Sequence, residues 1–153
     1  MKSTLSKPYE FEEYYQILIK EKYFDTMKDI YILATVLGFE RGKHDTFSKS
    51  GGDPIKEHIF QDDDKNIMDI ISVLSTGEIK ILINENKDDK YKLIEEYANS
   101  GMDYLVQNIF NGTLTSVDKI VDFVMSYAPE TGEQKVDLSD LFADLVDELE
   151  EKS

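Results

Sequence analysis

The chain has 153 residues, 32 of them acidic and 17 basic, for a net charge of −15. That length suits one domain and buries enough surface to fold without a staple, and the absence of Cys excludes a disulfide framework or a thiolate metal site. The negative balance opposes non-specific attraction to nucleic acid or to an anionic membrane.

In chain order the pattern is a series of helices. Pro8 suits a helix start, where its fixed φ and missing N–H are tolerated. Phe11, Tyr14, Tyr15 and Leu18 then follow the spacing of one helical face. A second helix opens at Thr26, with Asp29 placed three residues on as in a capping box, and the spacing predicts its end at Gly38. Its segment Ile30 to Leu37 is apolar nearly all round, which predicts the most buried helix of the fold. Residues 39–53 form the longest loop, and Pro54 opens a short helical turn towards Phe60. Asp62 to Asp64 cap the next helix, whose predicted face is Ile67, Ile70, Ile71 and Leu74 and whose stop is Gly77.

Residues 79–83, Ile-Lys-Ile-Leu-Ile, suit a short strand by composition, yet no partner strand is evident. The reading leans to helix or extended coil. Asp88 or Asp89 caps a helix with Tyr91, Ile94, Tyr97 and Ala98 on its face, Gly101 bends it, and the face resumes at Met102 and Leu105. A further helix runs from Thr115 to Pro129, and residues 129–136 read as a linker. The last segment is the cleanest amphipathic pattern: Leu138, Leu141, Phe142, Leu145, Val146 and Leu149 make a stripe, with Asp144 and Glu148 on the acidic side. The expected architecture is therefore mainly α: a multi-helix domain over 1–128, a linker over 129–136 and an acidic amphipathic helix over 137–153. The start, Met1 to Lys7, lacks the apolar run of a signal peptide, and nothing approaches a membrane span. A cytoplasmic protein is expected.

Charge is unevenly placed. Residues 1–60 hold 10 acids and 9 bases, whereas residues 61–153 hold 22 acids and 8 bases. Asymmetry of this kind marks either an interaction surface or a solvated face. The one locally basic stretch is the long loop, with Arg41, Lys43, His44 and Lys49. Its Gly38 to His44 segment is one residue short of a P-loop and has His where Mg²⁺ needs Ser or Thr. A surface loop is the plain reading and a contact patch the functional one.

No catalytic constellation stands out. His44 and His58 are the only histidines, which argues against zinc. Calcium loops starting at Asp62 or Asn84 fail at the position that needs Gly. Asp69 with Glu78 and Lys80 is the best nuclease-like arrangement, two Mg²⁺ ligands and a charge stabiliser, but Asp69 falls in a helical pattern. The reading of the residues is a non-enzyme without a cofactor or metal.

Three stretches carry a resemblance. Thr26-Met27-Lys28-Asp29 leads to Ala34-Thr35-Val36-Leu37-Gly38-Phe39; Pro54-Ile55 leads to Ile59-Phe60; and Glu95-Glu96-Tyr97-Ala98-Asn99-Ser100-Gly101 opens a hydrophobic run to Leu105. In this order, over Phe24 to Phe110, they resemble the small accessory proteins found with bacterial DNA-phosphorothioation (Dnd) systems. Ser100 departs from the Gly expected before Gly101. The resemblance implies a role in prokaryotic defence against foreign DNA, alongside a larger nuclease or ATPase subunit, and brings no catalytic residues with it. The expected function is a non-catalytic adaptor whose C-terminal stripe docks on that larger protein. The alternatives are an acidic inhibitor or DNA mimic that fills a basic groove, and the Asp69, Glu78, Lys80 nuclease.

Overall fold

The structure is a computed structural model in which residues 2–107 are described. The chain divides into two units, Met1–Leu105 and Val106–Ser153, and the first is described apart from Met1. The expected helix after Thr115, the linker at 129–136, the acidic helix at 137–153 and the domain boundary at 128 all lie outside the described residues.

The first unit is built on four α-helices: α1 (Glu12–Lys20), α2 (Met27–Glu40), α3 (Asp62–Thr76) and α4 (Lys87–Leu105). A small antiparallel sheet pairs β1 (Thr4–Leu5) with β2 (Ile55–Lys56), in the register Thr4 with Lys56 and Leu5 with Ile55. The main axis of the fold is α2 packed on α4, with α1 and α3 against α2.

α2 is the centre, as its all-round apolar sequence predicts. Nine consecutive residues, Ile30 to Gly38, are buried. It starts after Thr26 as predicted, but the pair makes no capping box: Thr26 Oγ1 donates to Asp29 Oδ2 at 2.9 Å and does not cap the helix N–H groups. Two buried hydroxyls are satisfied inside their own helices: Thr35 Oγ1 donates to Tyr31 O at 2.8 Å and Ser72 Oγ to Met68 O at 2.7 Å.

Two glycines have a role that the sequence pattern does not suggest. Gly38 does not stop α2, which runs on to Glu40, and Gly101 lies within the single span of α4. Both are points of close approach. A Cβ at Gly38 would lie 2.1 Å from Tyr97 O, and one at Gly101 would lie 1.7 Å from Ala34 O. Each helix thus places a glycine against the backbone of the other. A helical glycine costs about 1 kcal/mol relative to Ala, and the crossing supplies the reason for both. Gly77 does end α3 as expected, with φ of 72° in the left-handed region.

The sheet is absent from the sequence reading. The segment after Pro54 is β2 followed by a 3₁₀ turn, Glu57–Ile59, and not a continuous helical turn. Two-residue strands carry no alternation to read, and their partner lies 50 residues away. The long loop returns beside the N-terminal segment: Gly51 N–H donates to Lys7 O at 2.9 Å and Tyr9 N–H to Lys49 O at 2.8 Å. Residues 79–82 form a 3₁₀ turn, on the helical side of the expected alternatives.

Polar groups fasten this N-terminal segment to the helices. Glu95 of α4 is 5% exposed; its carboxylate accepts from Lys2 Nζ and from the Ser6 N–H. Tyr31 OH donates to Ser6 O at 3.1 Å. Lys7 is buried with its ammonium 3.2 Å from a Glu12 oxygen.

Candidate functional site

α3 turns inward only part of the face its periodicity suggests. Ile67, Met68, Ile71 and Ser72 are buried, while Ile70 and Leu74 are exposed. Past Gly77 the chain enters the 3₁₀ turn Ile79–Leu82, closed by Ile81 N–H to Glu78 O and Ile83 N–H to Lys80 O. Asn86 Nδ2 donates to Lys80 O at 2.8 Å and braces it. The turn packs on α3 and α4 and still leaves Ile79 77% and Ile83 50% exposed, with Leu82 also outward. One stretch of the chain therefore presents five large aliphatic side chains to solvent: Ile70, Leu74, Ile79, Leu82 and Ile83. Full burial of such a side chain is worth roughly 1.5–3 kcal/mol. Scattered exposed aliphatics are ordinary, whereas a run of them on two packed elements is a feature that interaction surfaces share. Charge borders the strip at Glu78 and Lys80, an exposed pair at 3.5 Å.

Sequence reasoning placed Ile70 and Leu74 in the core and left 79–83 without a role. The available signal was a β-branched aliphatic run with no strand partner.

The basic loop is split by the fold. Arg41 lies over the Tyr104 ring at 4.0 Å, Lys43 is 3.8 Å from Asp45, and His44 Nδ1 is 3.3 Å from Glu96 with its ring 4.9 Å from that of Tyr97. These three meet α4 or the loop beside it. Lys49 goes elsewhere, over the Tyr9 ring at 3.9 Å. Asn99 Nδ2 holds the loop by donating to Asp45 O at 2.8 Å. The four bases thus fasten the loop at two places and do not converge on one patch.

The nuclease-like set is not brought together. Asp69 lies within α3 and pairs with Lys90 at 2.8 Å, while Glu78 follows the end of the helix, about 10 Å further along its axis. Among the described residues no group of three or more His, Asp or Glu is placed to hold a metal ion. Asp64, suspected in a calcium loop, instead closes the capping box of α3: its Oδ2 accepts the Gln61 N–H at 2.8 Å and Lys28 Nζ at 2.7 Å.

Other carboxylates also face lysines. Glu57 takes Lys87 Nζ at 2.7 Å and Tyr91 OH at 2.8 Å. The Lys87 bond holds its carboxyl below the usual range, against the opposing effect of burial. Burial alone would lower Lys28, yet its bonds to Asp64 and Asp29 outweigh that and raise it. Burial pushes the hydroxyls of Tyr15, Tyr31 and Tyr91 well above the ordinary tyrosine value. These shifts follow from packing and internal pairing. The predicted docking residues Leu138, Leu141, Phe142, Asp144, Leu145, Val146, Glu148 and Leu149 lie outside the described residues.

What these residues define is a small helical protein. No helix among the described residues is long and apolar enough to cross a membrane. Over residues 6–141 the chain matches the family described as DNA sulphur modification system-associated protein 4, and it belongs to that family. The match covers the whole span of the resemblance read from the sequence and extends beyond it at both ends. Neither the curated proteins nor the solved structures contain a match to it.

Proposed function

We propose that the protein is a non-catalytic accessory subunit of a DNA sulphur modification system and that it acts by docking on a larger protein of that system. The observation that carries this reading is the aliphatic strip of α3 and the following turn, with Ile79 77% exposed. Membership of a family associated with DNA sulphur modification supplies the setting. A surface of this kind suits the face of another protein, with an apolar centre and a polar border. A role in defence against foreign DNA extends the same proposal, since an accessory subunit can set when a modification-linked nuclease or ATPase acts.

The test is co-purification with each protein of the modification system, expressed one at a time with the full chain. One of them should be retained, and Ile79→Asp with Ile83→Asp should weaken that binding at least tenfold, while Lys92→Glu on the exposed side of α4 should not. Retention of the same partner by the double variant at full strength rejects the strip as the docking site. Failure of every system protein to bind rejects the adaptor reading.

A further inference from the structure

A shallow groove of about 350 Å³ opens beside the small sheet, lined by Ser3, Thr4, Lys56, Glu57, His58 and Lys65. The pairing of β1 with β2 sets Thr4 opposite Lys56, and the Glu57 N–H donates to Ser3 O at 2.9 Å. His58 sits on the 3₁₀ turn that follows β2, and Lys65 on the first turns of α3. The basic side chains thus come from β2, the turn that follows it and α3.

Lys56 and Lys65 carry full charge, and the one acid of the lining, Glu57, acts on Lys65 through space without pairing with it. None of Lys56, His58 and Lys65 lies within ion-pair distance of a carboxylate among the described residues. Both oxygens of Glu57, the one acid of the lining, are already engaged by Lys87 and Tyr91. In a chain with 32 acids, two lysines beside one groove whose single acid is already paired with Lys87 stand out. Gathered like charges repel, and the repulsion is relieved when an anion sits between them.

We propose that this groove binds the phosphate group of a small phosphorylated ligand. The lining residues are of the donor types that a tetrahedral oxyanion takes: two ammonium groups, an imidazole and the hydroxyls of Ser3 and Thr4. The volume lies at the lower end of the range for small-molecule pockets. Size also separates this ligand from a nucleic-acid polymer. At physiological salt, charges beyond about 8 Å are screened, so a single phosphate feels chiefly the local lysines. A polymer extends past the groove and brings further phosphates against a chain of net charge −15.

The experiment titrates the full chain, in phosphate-free buffer, with adenosine monophosphate, inorganic phosphate, adenosine, hexaglutamate and a 12-nucleotide single strand. Calorimetry gives the affinity and amide NMR shifts locate the site. Adenosine monophosphate and inorganic phosphate should bind saturably and shift Lys56, His58 and Lys65, whereas adenosine should not. Lys56→Glu and the milder Lys65→Gln should each weaken binding at least tenfold with circular dichroism unchanged, and Lys92→Glu should leave it as it was. No saturable binding, shifts centred elsewhere, or an equal loss in Lys92→Glu overturns the proposal. Tighter binding of the oligonucleotide through the same residues overturns it in favour of a nucleic-acid phosphate, and tighter binding of hexaglutamate in favour of an acidic peptide.

Discussion

The crossing of α2 with α4 and the outer side of α3 use apolar sequence in opposite ways. At the crossing the side chains are reduced to hydrogen, so that two backbones come within reach of each other, and everything from Ile30 to Gly38 is buried. Along α3 and its following turn, large aliphatic side chains are retained and left in solvent. Burial at the crossing is complete within the chain, so a residue there affects the stability of the fold. Residues of the strip contribute little to that stability and are available to a partner. The difference separates two kinds of substitution, and measurements can force them apart.

The largest effect belongs to the crossing. Gly101→Ala should destabilise the protein by about 3 kcal/mol, the upper part of the usual overpacking range, because the new methyl meets the Ala34 carbonyl and neither backbone can move alone. Gly38→Ala should follow closely against Tyr97 O. Each single change already separates the helices, so the double variant should lose less than the sum of the two. Urea denaturation measures all three. A loss below 0.5 kcal/mol for both singles, roughly the level of an ordinary surface change, would show that the helices are not held this close.

Next comes the fastening of the N-terminal segment. Glu95→Gln keeps the shape and removes the charge that faces Lys2 and the Ser6 N–H. It should cost about 2 kcal/mol. Asp64→Ala removes both the capping bond to Gln61 and the pair with Lys28, and should cost about 1 kcal/mol, read from the same denaturation curves.

The packed region also sets an alkaline limit. Tyr15 and Tyr31 are buried, and burial raises both hydroxyls. An unfolded tyrosine ionises near pH 10, so the unfolded state loses its protons first. The stabilisation is complete below about pH 10 and declines as pH rises towards the folded-state values. Absorbance at 295 nm should show these tyrosines ionising late and together with the loss of helical signal. Ionisation of all nine tyrosines near pH 10 with the fold intact would contradict the burial.

The contrast between the two regions was half legible in the sequence. Ile30 to Leu37 is apolar on every side, and only a central helix has room for that pattern, so α2 could be read directly. Its partner glycines could not. A glycine near the end of an apolar run suits a stop as well as a close approach, and only the position of Tyr97 O decides for Gly38. On α3 the apolar residues at 67, 68, 70, 71 and 74 cover more than one face, so periodicity alone could not say which would point inward. The sheet was unreadable because each strand has two residues and the pairing joins distant parts of the chain. The lining of the groove is hidden for the same reason: Ser3, Lys56 and Lys65 meet only once β1 lies on β2.

The smallest effect is the sharpest test of the comparison. Ile79→Asp with Ile83→Asp places two carboxylates where the fold already leaves the side chains in water. Little apolar contact is lost and no buried charge is created, so stability should change by less than about 0.5 kcal/mol. Negative charge at the turn adds to that of Glu78, whose nearest base is Lys80, and the repulsion is screened at moderate salt. A large loss of stability would mean that the strip is covered within the chain itself, and the contrast with the α2–α4 crossing would collapse. An unchanged midpoint, together with the loss of co-purification expected for the same double variant, would assign these aliphatic residues to another protein's surface.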